Sequence, residues 1–554
     1  MTIEEIILVT PIPKHQGLLN SVEFLQILMV KYNKLRSLMN EENRMEDIRG
    51  ILSDLEGLEK LITTPDNLTS LMYVIGTKYT KLGLKFENEE FLVKGITALD
   101  LVDEKILLTD KFRAEYYHLF SRGLLIHFNN QLDKDEDYRY SYKNIEPLLK
   151  SKYFLFKLYN FLIEKKIEPV DIVESKIISD LITVLIFLSR WNEPFFILDK
   201  RTALSKYKPG FIGYLKAHTL NEIAYNTCCS IYPAMAFEIK KQITVALTSN
   251  ETQAEWKAHL TKVEKETDKI IQNNEINLDE FEKSYGDTKK DLEEHDEYRK
   301  WVLKSHFALC EHAIYCFCGL SKSDDLQIKS NHKHTELEWV KQFDILLQKL
   351  KGEFNLSRYF LYLSEADSKL PYVREDEVNN FSKIDGLIEN SNSDFLIQAF
   401  KSAYSILDKI GRAIYLALGI QGKDVYFHKC WREIKAIEAK TQNRYLYTLY
   451  SIACDLSETS EYSAFKQYKQ WRNLIEHEFF FLIDETANIE QVKRQLPPTA
   501  GLIKVDEFKE KTHYMLQLCR SAIFSFVFFI RHESKSKEKD EKKAICIIES
   551  KNKK

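Results

Sequence analysis

Glycine and proline are scarce in this chain, at 17 and 11 of 554 residues. These residues shape tight turns and break helices, so their scarcity argues against a turn-rich β-sandwich or barrel and against a low-complexity chain. No charge of one sign dominates either: 79 Lys and Arg face 83 Asp and Glu, a net charge of -4. The whole molecule is therefore not a general polyanion binder, and a nucleic-acid site has to be a local basic patch. The nine cysteines lack framework spacing and are odd in number, which argues against a disulfide scaffold and fits a reducing cytoplasm. A Walker-type Gly-rich loop and an H-E-x-x-H pair are both missing. The most apolar late run, Ser521 to Ile530, is too short to span a bilayer. The N-terminus has neither a basic leader nor a cleavage site. The expectation is a cytoplasmic protein with no membrane partner and no cofactor.

What is abundant is aromatic and apolar. The chain has 33 Phe and 29 Tyr, and 44% of it is hydrophobic. Apolar residues recur at helical spacing in stretch after stretch, which predicts an all-α fold of long helices and short connections. Residues 1–250 read as successive helices of repeat-like, tetratricopeptide-like (TPR-like) character; a non-repetitive helical domain is the alternative. Within them, the stretch around Pro233 predicts a helical hairpin. Residues 251–394 read as a charged connector with accessory helices. Residues 395–533 hold four long helical patterns joined by short connections, the signature of an up-and-down bundle. Residues 534–554 are a Lys/Glu-rich tail expected to be mobile, whose apolar knot Ala544 to Ile548 could instead add a strand or dock.

One stretch of the bundle, "KQWRNLIEHEFFFLID" (Lys469 to Asp484), carries Arg, Asn, Glu and His within six positions. Wound as one helix, Phe465, Tyr468, Ile475 and Phe479 share a face and Arg472 falls in the middle of it. A guanidinium there has to be paired or held for a ligand.

The order Arg472-Asn473-Leu474-Ile475-Glu476-His477 on the third helix of a C-terminal bundle resembles the HEPN ribonuclease superfamily. Its pattern is an Arg, a polar residue directly after it, and a His beyond four to six intervening residues. Bare spacing is not distinctive, because Arg113/His118, Arg122/His127 and Arg299/His306 also satisfy it. Only Arg472 is followed by Asn and lies in the four-helix pattern. "EYRKWVLKSHF" (Glu297 to Phe307) resembles the entry segment of the large bacterial HEPN branch in which TPR-like helices precede the nuclease, although the Leu-Asn-Pro-Leu stretch typical of that branch is missing.

The resemblance implies a metal-independent endoribonuclease, a conditional toxin in antiviral defence acting on RNA, tRNA among the candidate substrates. It implies a composite site at a homodimer seam: five positions separate Arg472 from His477, so the two point about 140° apart on one helix. In that reading His477 moves the proton, Arg472 holds the phosphate, Asn473 orients one of them, and Glu476 supports the site or pairs with Arg472 at i, i+4. Leu474, Phe480 and Phe481 remain for the partner copy. An unidentified protein or small-molecule trigger would act on the N-terminal helices. Some HEPN toxins carry a modifiable Tyr two residues after the His; here that position is Phe479. The alternative function is a non-catalytic scaffold whose bundle only dimerises or binds nucleotide.

Two further groups are weighed against bland readings. Cys310, Cys316, Cys318, His312, His332 and His334 form a loose Cys/His set, but the cysteines lie in an apolar run and read as buried thiols rather than as a metal site. Asp408 and Lys409 on the first bundle helix read as surface or salt-bridge residues.

Overall fold

A computed structural model of the chain describes residues 21–38, 45–59, 65–107, 110–165, 174–202, 209–226, 233–249, 254–273, 275–285, 292–293, 295–317, 319–328, 338–366, 384–422, 425–436 and 443–552. Their Cα packing divides into two compact units, 1–184 and 185–554. The division falls inside the span that the sequence groups as one helical region.

The first unit is built from α1 (Ser21–Leu38), α2 (Met45–Leu58), α3 (Pro65–Lys85), α4 (Glu89–Asp100), α5 (Asp110–Lys134), α6 (Glu146–Lys165) and most of α7 (Glu174–Phe187). Consecutive helices pair, α3 on α4 and α5 on α6. The pattern explains the pairing: Leu71, Ile75, Tyr79 and Leu82 recur along one side of α3 and are all buried. Asn88 caps α4 by accepting from Phe91 N at 3.0 Å, with Glu89 and Glu90 in the first turn to suit the helix dipole.

The second unit continues with α8 (Asn192–Thr202), α9 (Pro209–Asn226), α10 (Pro233–Thr248), α11 (Ala254–Asn273), α12 (Leu278–Tyr285) and α13 (Glu297–Lys304). The hairpin expected around Pro233 is α9 packed on α10. The charged stretch after it is not bare linker. Helix α11 buries Leu260, Val263 and Thr267 on one face and leaves its charges to solvent.

The C-terminal part holds α14 (Glu338–Glu365), α15 (Ser391–Leu418), the short α16 (Trp431–Lys435), α17 (Arg444–Leu456), α18 (Gln467–His477), the short α19 (Ile489–Lys493) and α20 (Val505–Asn552). Helices α14, α15 and α17 pack around α20. Met515, Leu516, Cys519, Ala522, Ile523, Phe526, Val527, Phe529 and Ile530 of α20 are fully buried, which is why the stretch from Met515 to Ile530 is largely apolar on every side. Residues Val505–Ser536 are long and apolar enough to cross a membrane by length and composition, but 89% of their apolar 18-residue window is buried inside the fold, as in a core helix. The helix runs on to Asn552, so the Ala544 to Ile548 knot is helical backbone and adds no strand.

One element is unannounced by the sequence pattern. Leu387–Ile388 (β1), Phe480–Ile483 (β2) and Gly501–Lys504 (β3) form a small sheet in the order β1-β2-β3. The first pair is antiparallel and the second parallel, with Phe480 opposite Gly501.

Candidate active site

The helix expected over Lys469 to Asp484 holds only as far as His477. Glu478 is extended (φ -133°, ψ -155°), and the following run of three Phe, Leu and Ile enters β2. Aromatic and β-branched residues suit a pleated strand, and β1 and β3 take up its backbone groups. Phe479 therefore leaves the face of Phe465 and Tyr468 and stands 59% exposed.

Within α18 two faces separate. Tyr468 is fully buried and packs against Phe400 and Trp471, and Trp471 meets Phe508. Lys469, Arg472, Asn473 and Glu476 follow the i, i+3, i+4, i+7 spacing of a second, polar face. Arg472 thus belongs to a polar stripe and not to the centre of an apolar one, because the stripe ends where Phe479 turns into the sheet.

Each member of that stripe has a definite setting. Arg472 is half-buried, and its Nη1 donates to Asn473 Oδ1 at 3.2 Å. Glu476 does not pair with Arg472; Lys401 Nζ of α15 lies 3.5 Å from it. Lys469 forms an ion pair with Glu458. Asp408 Oδ1 accepts from Phe427 N at 2.9 Å. Burial raises the Asp408 carboxyl above its ordinary range, opposed by the Phe427 N–H and the Arg472 charge. Lys409 pairs with Glu353, as a surface residue does. His477 is exposed at the end of α18. Among the described residues, neither its side chain nor the Arg472 guanidinium has an ion-pair partner.

Two further residues belong to this neighbourhood that motif spacing does not announce. The Arg472 charge is felt by Tyr404 of α15 and by His428. Burial pushes the His428 imidazole down to about 4, helped by the Lys469, Lys429 and Arg472 charges. A His in a short loop carries no periodic signal; only the tertiary fold brings it to α18.

The other Arg/His spacings are committed elsewhere. Arg122 Nη1 is bidentate to Asp180 at 2.9 and 3.0 Å, and His127 Nδ1 is 2.6 Å from Glu89 Oε1. Arg113 donates to Leu107 O at 3.2 Å, and His118 is buried, its imidazole pushed down to about 4 by burial and by the Arg122, Lys176 and Lys81 charges. Arg299 binds Asp324 at 3.0 Å, and His306 lies 3.0 Å from Asp199.

Leu474 and Phe480 are not free for a partner copy. A Cβ on Gly501 would stand 2.7 Å from Leu474 Cδ1 and 3.0 Å from Phe480 Cδ2, so the absent side chain lets β3 close on the end of α18. Phe480 also packs on Phe508, ring centroids 5.0 Å apart. Phe479 and Phe481, stacked at 6.4 Å and 13°, supply the aromatic surface beside His477. Of the Cys/His set, Cys318, His332 and His334 lie outside the described residues. Burial and the Asp325 bond push the Cys310 thiol up to about 12, and His312 Nδ1 is 3.0 Å from Tyr315 Oη.

Residues 334–533 match the family model described as LA2681-like HEPN. The C-terminal domain is a HEPN domain. No curated protein and no solved structure matches the chain. The match begins before α14, so the HEPN domain includes that helix as well as the four-helix pattern read from residue 395. It also encloses the whole polar stripe of α18.

Proposed function

We propose that this protein is a metal-independent endoribonuclease, with Arg472 and His477 of its HEPN domain as the reacting pair and two copies of the domain completing the site. The observation that carries this reading is a contrast. Four Arg/His pairs share the permitted spacing, and the Arg472/His477 pair alone keeps both charged partners unspent among the described residues. Arginines and histidines that serve structure are paired, as Arg122 and His127 are.

The chemistry follows from the residue types. The ribose 2′-OH attacks the adjacent phosphorus and the 5′-oxygen leaves, giving a 2′,3′-cyclic phosphate and a 5′-OH. His477, exposed at the end of α18, moves the proton, as an imidazole can act as both acid and base. Arg472 offers forked donors to the non-bridging oxygens and to the charge that grows on them. Asn473 holds one guanidinium nitrogen through its Oδ1 and so fixes the direction of the rest. The carboxylates around Arg472 are engaged: Asp408 by a backbone N–H, Glu458 by Lys469, Glu476 by Lys401. A two-metal cage would need them free and grouped.

A conditional-toxin role in antiviral defence belongs to the same proposal and rests on the family resemblance. The test is direct. The purified chain is incubated with total RNA or tRNA in EDTA, and the new ends are mapped. Cyclic phosphate and 5′-OH ends support the reading. Intact RNA at all protein concentrations, or 5′-phosphate ends that vanish with chelator, overturn it.

A further inference from the structure

Between the C-terminal end of α15, the loop after it and α16 lies a cleft of about 760 Å³, lined by His428, Lys429, Arg432, Lys435 and Thr459 among others. The size suits a nucleotide-scale ligand. Its charge is lopsided. Among the described residues, three cations line it against one carboxylate, Glu433, and that carboxylate is occupied by the Tyr415 hydroxyl at 2.8 Å. Lys435 is held on Tyr450, its Nζ 2.7 Å from the hydroxyl. Arg432 is exposed and has no ion-pair partner among the described residues, and Lys429 rests only over the Tyr426 ring at 5.5 Å.

The cleft is anchored to the HEPN site. Phe427, one residue before His428, donates its N–H to Asp408, and the Trp431 indole donates to Phe427 O at 2.7 Å. Gly411 of α15 lets this loop lie close, since a Cβ there would stand 3.2 Å from Phe427 Cα. His428 lines the cleft and also feels the Lys469 and Arg472 charges of α18. Both its ring nitrogens are shielded from solvent and lack a hydrogen-bond partner among the described residues. Such a buried imidazole is costly, and an unsatisfied group at a cation-lined cleft points to a ligand that supplies the missing bonds.

We propose that this cleft is an RNA subsite that takes a phosphodiester flanking the scissile bond, with Lys429 and Arg432 as its phosphate contacts and His428 hydrogen-bonding the same nucleotide. The inference rests on the ribonuclease reading above and adds where the chain of the substrate runs. Both ring nitrogens are shielded in the fold, so the His428 ring turns toward the cleft as the nucleotide enters and bonds to it through one nitrogen. His428 is a binding residue here, since nothing places it at the reacting atoms.

The test measures binding and cleavage separately on the full-length chain. A 5′-labelled single-stranded RNA oligonucleotide is titrated by fluorescence anisotropy in a His477→Ala background, against Lys429→Ala/Arg432→Ala, His428→Gln and the control Lys349→Ala, an exposed lysine on α14. The double variant is expected to bind at least about 10-fold more weakly. Its plot of log K against log salt should flatten by about 1.4, as for two lost phosphate contacts on a single strand. His428→Gln should bind about 3-fold to 10-fold more weakly with an unchanged salt slope, and Lys349→Ala should match the parent. Cleavage by the parent and by the cleft variants is then compared in proteins that carry His477, where KM is expected to rise more than kcat falls in the variants. A parent that cleaves while the double variant keeps parental affinity and slope overturns the subsite and leaves the nuclease standing. Variants that lose binding in a protein that never cleaves keep the subsite and overturn the nuclease. A parent with no affinity for RNA overturns both.

Discussion

Arg190 donates through Nη1 to Asp455 Oδ2 at 2.5 Å, and neither side chain is exposed at all. The pair ties the turn before α8 to the C-terminal end of α17, across 265 residues of sequence. Glu193 completes it, accepting from Nε and Nη2 of the same guanidinium at 2.6 and 2.7 Å. The backbone carbonyl of Asp455 receives Phe465 N at 2.8 Å and the Ser463 hydroxyl at 2.7 Å. One residue thus fixes the approach to α18.

Removing one partner of a buried pair strands the other charge. Asp455→Ala is expected to lower stability by about 3–5 kcal/mol, seen as a fall in the urea midpoint of unfolding. An unchanged midpoint would show that the pair is not buried as described.

Arg472→Ala and His477→Ala should each reduce RNA cleavage by at least about 100-fold while leaving circular dichroism and thermal unfolding close to the parent, since neither side chain has an ion-pair partner to lose. Arg113→Ala is expected to keep full activity. A 2′-deoxy substitution at the cut position should block cleavage without weakening binding. Variants of the HEPN pair that cut as well as the parent would remove Arg472 and His477 from the chemistry.

Assembly is expected to run through the HEPN domain, with Phe479 and Phe481 in contact with the partner copy. Light scattering of the full-length chain should give a dimer at micromolar concentration, and Phe479→Asp should shift it toward monomer because a buried charge replaces an aromatic contact. Activity should fall with the dimer. A monomeric parent that still cleaves RNA would show that one copy suffices.

Stability is expected to fall below pH 6.5. His118 in the first unit and His218 in the second are held neutral, both pushed down to about 4, His118 by burial and neighbouring cations and His218 by burial and the His259 charge. The unfolded chain takes up protons at about 6.5, before the folded one does. Their stabilising contribution is therefore complete above pH 6.5 and is lost as the pH drops toward 4. By pH 5 the loss is about 2 kcal/mol for each. Urea unfolding at pH 7 and pH 5 measures it, and His118→Gln and His218→Gln should each show a smaller drop between the two than the parent.

Much was legible in the sequence, and the reasons are local. Apolar spacing at 3.6 residues marked the helices α3, α5, α15, α17 and α20, because a helix that buries one face must repeat it. The fully apolar stretch of α20 announced a helix surrounded on all sides. The Arg-Asn-x-x-x-His order pointed to the HEPN domain because it combines residue types with a place in the bundle. Tertiary structure alone decided the rest. Wound as helix from its sequence, Phe480 to Ile483 becomes β2 because β1 and β3, 93 residues before it and 21 after it by first residues, offer their backbone groups. The pairing of Glu476 with Lys401, the closure of Gly501 on Leu474 and the effect of the Arg472 charge on His428 all join residues far apart in sequence. No periodicity encodes such meetings; they exist only once the helices have packed.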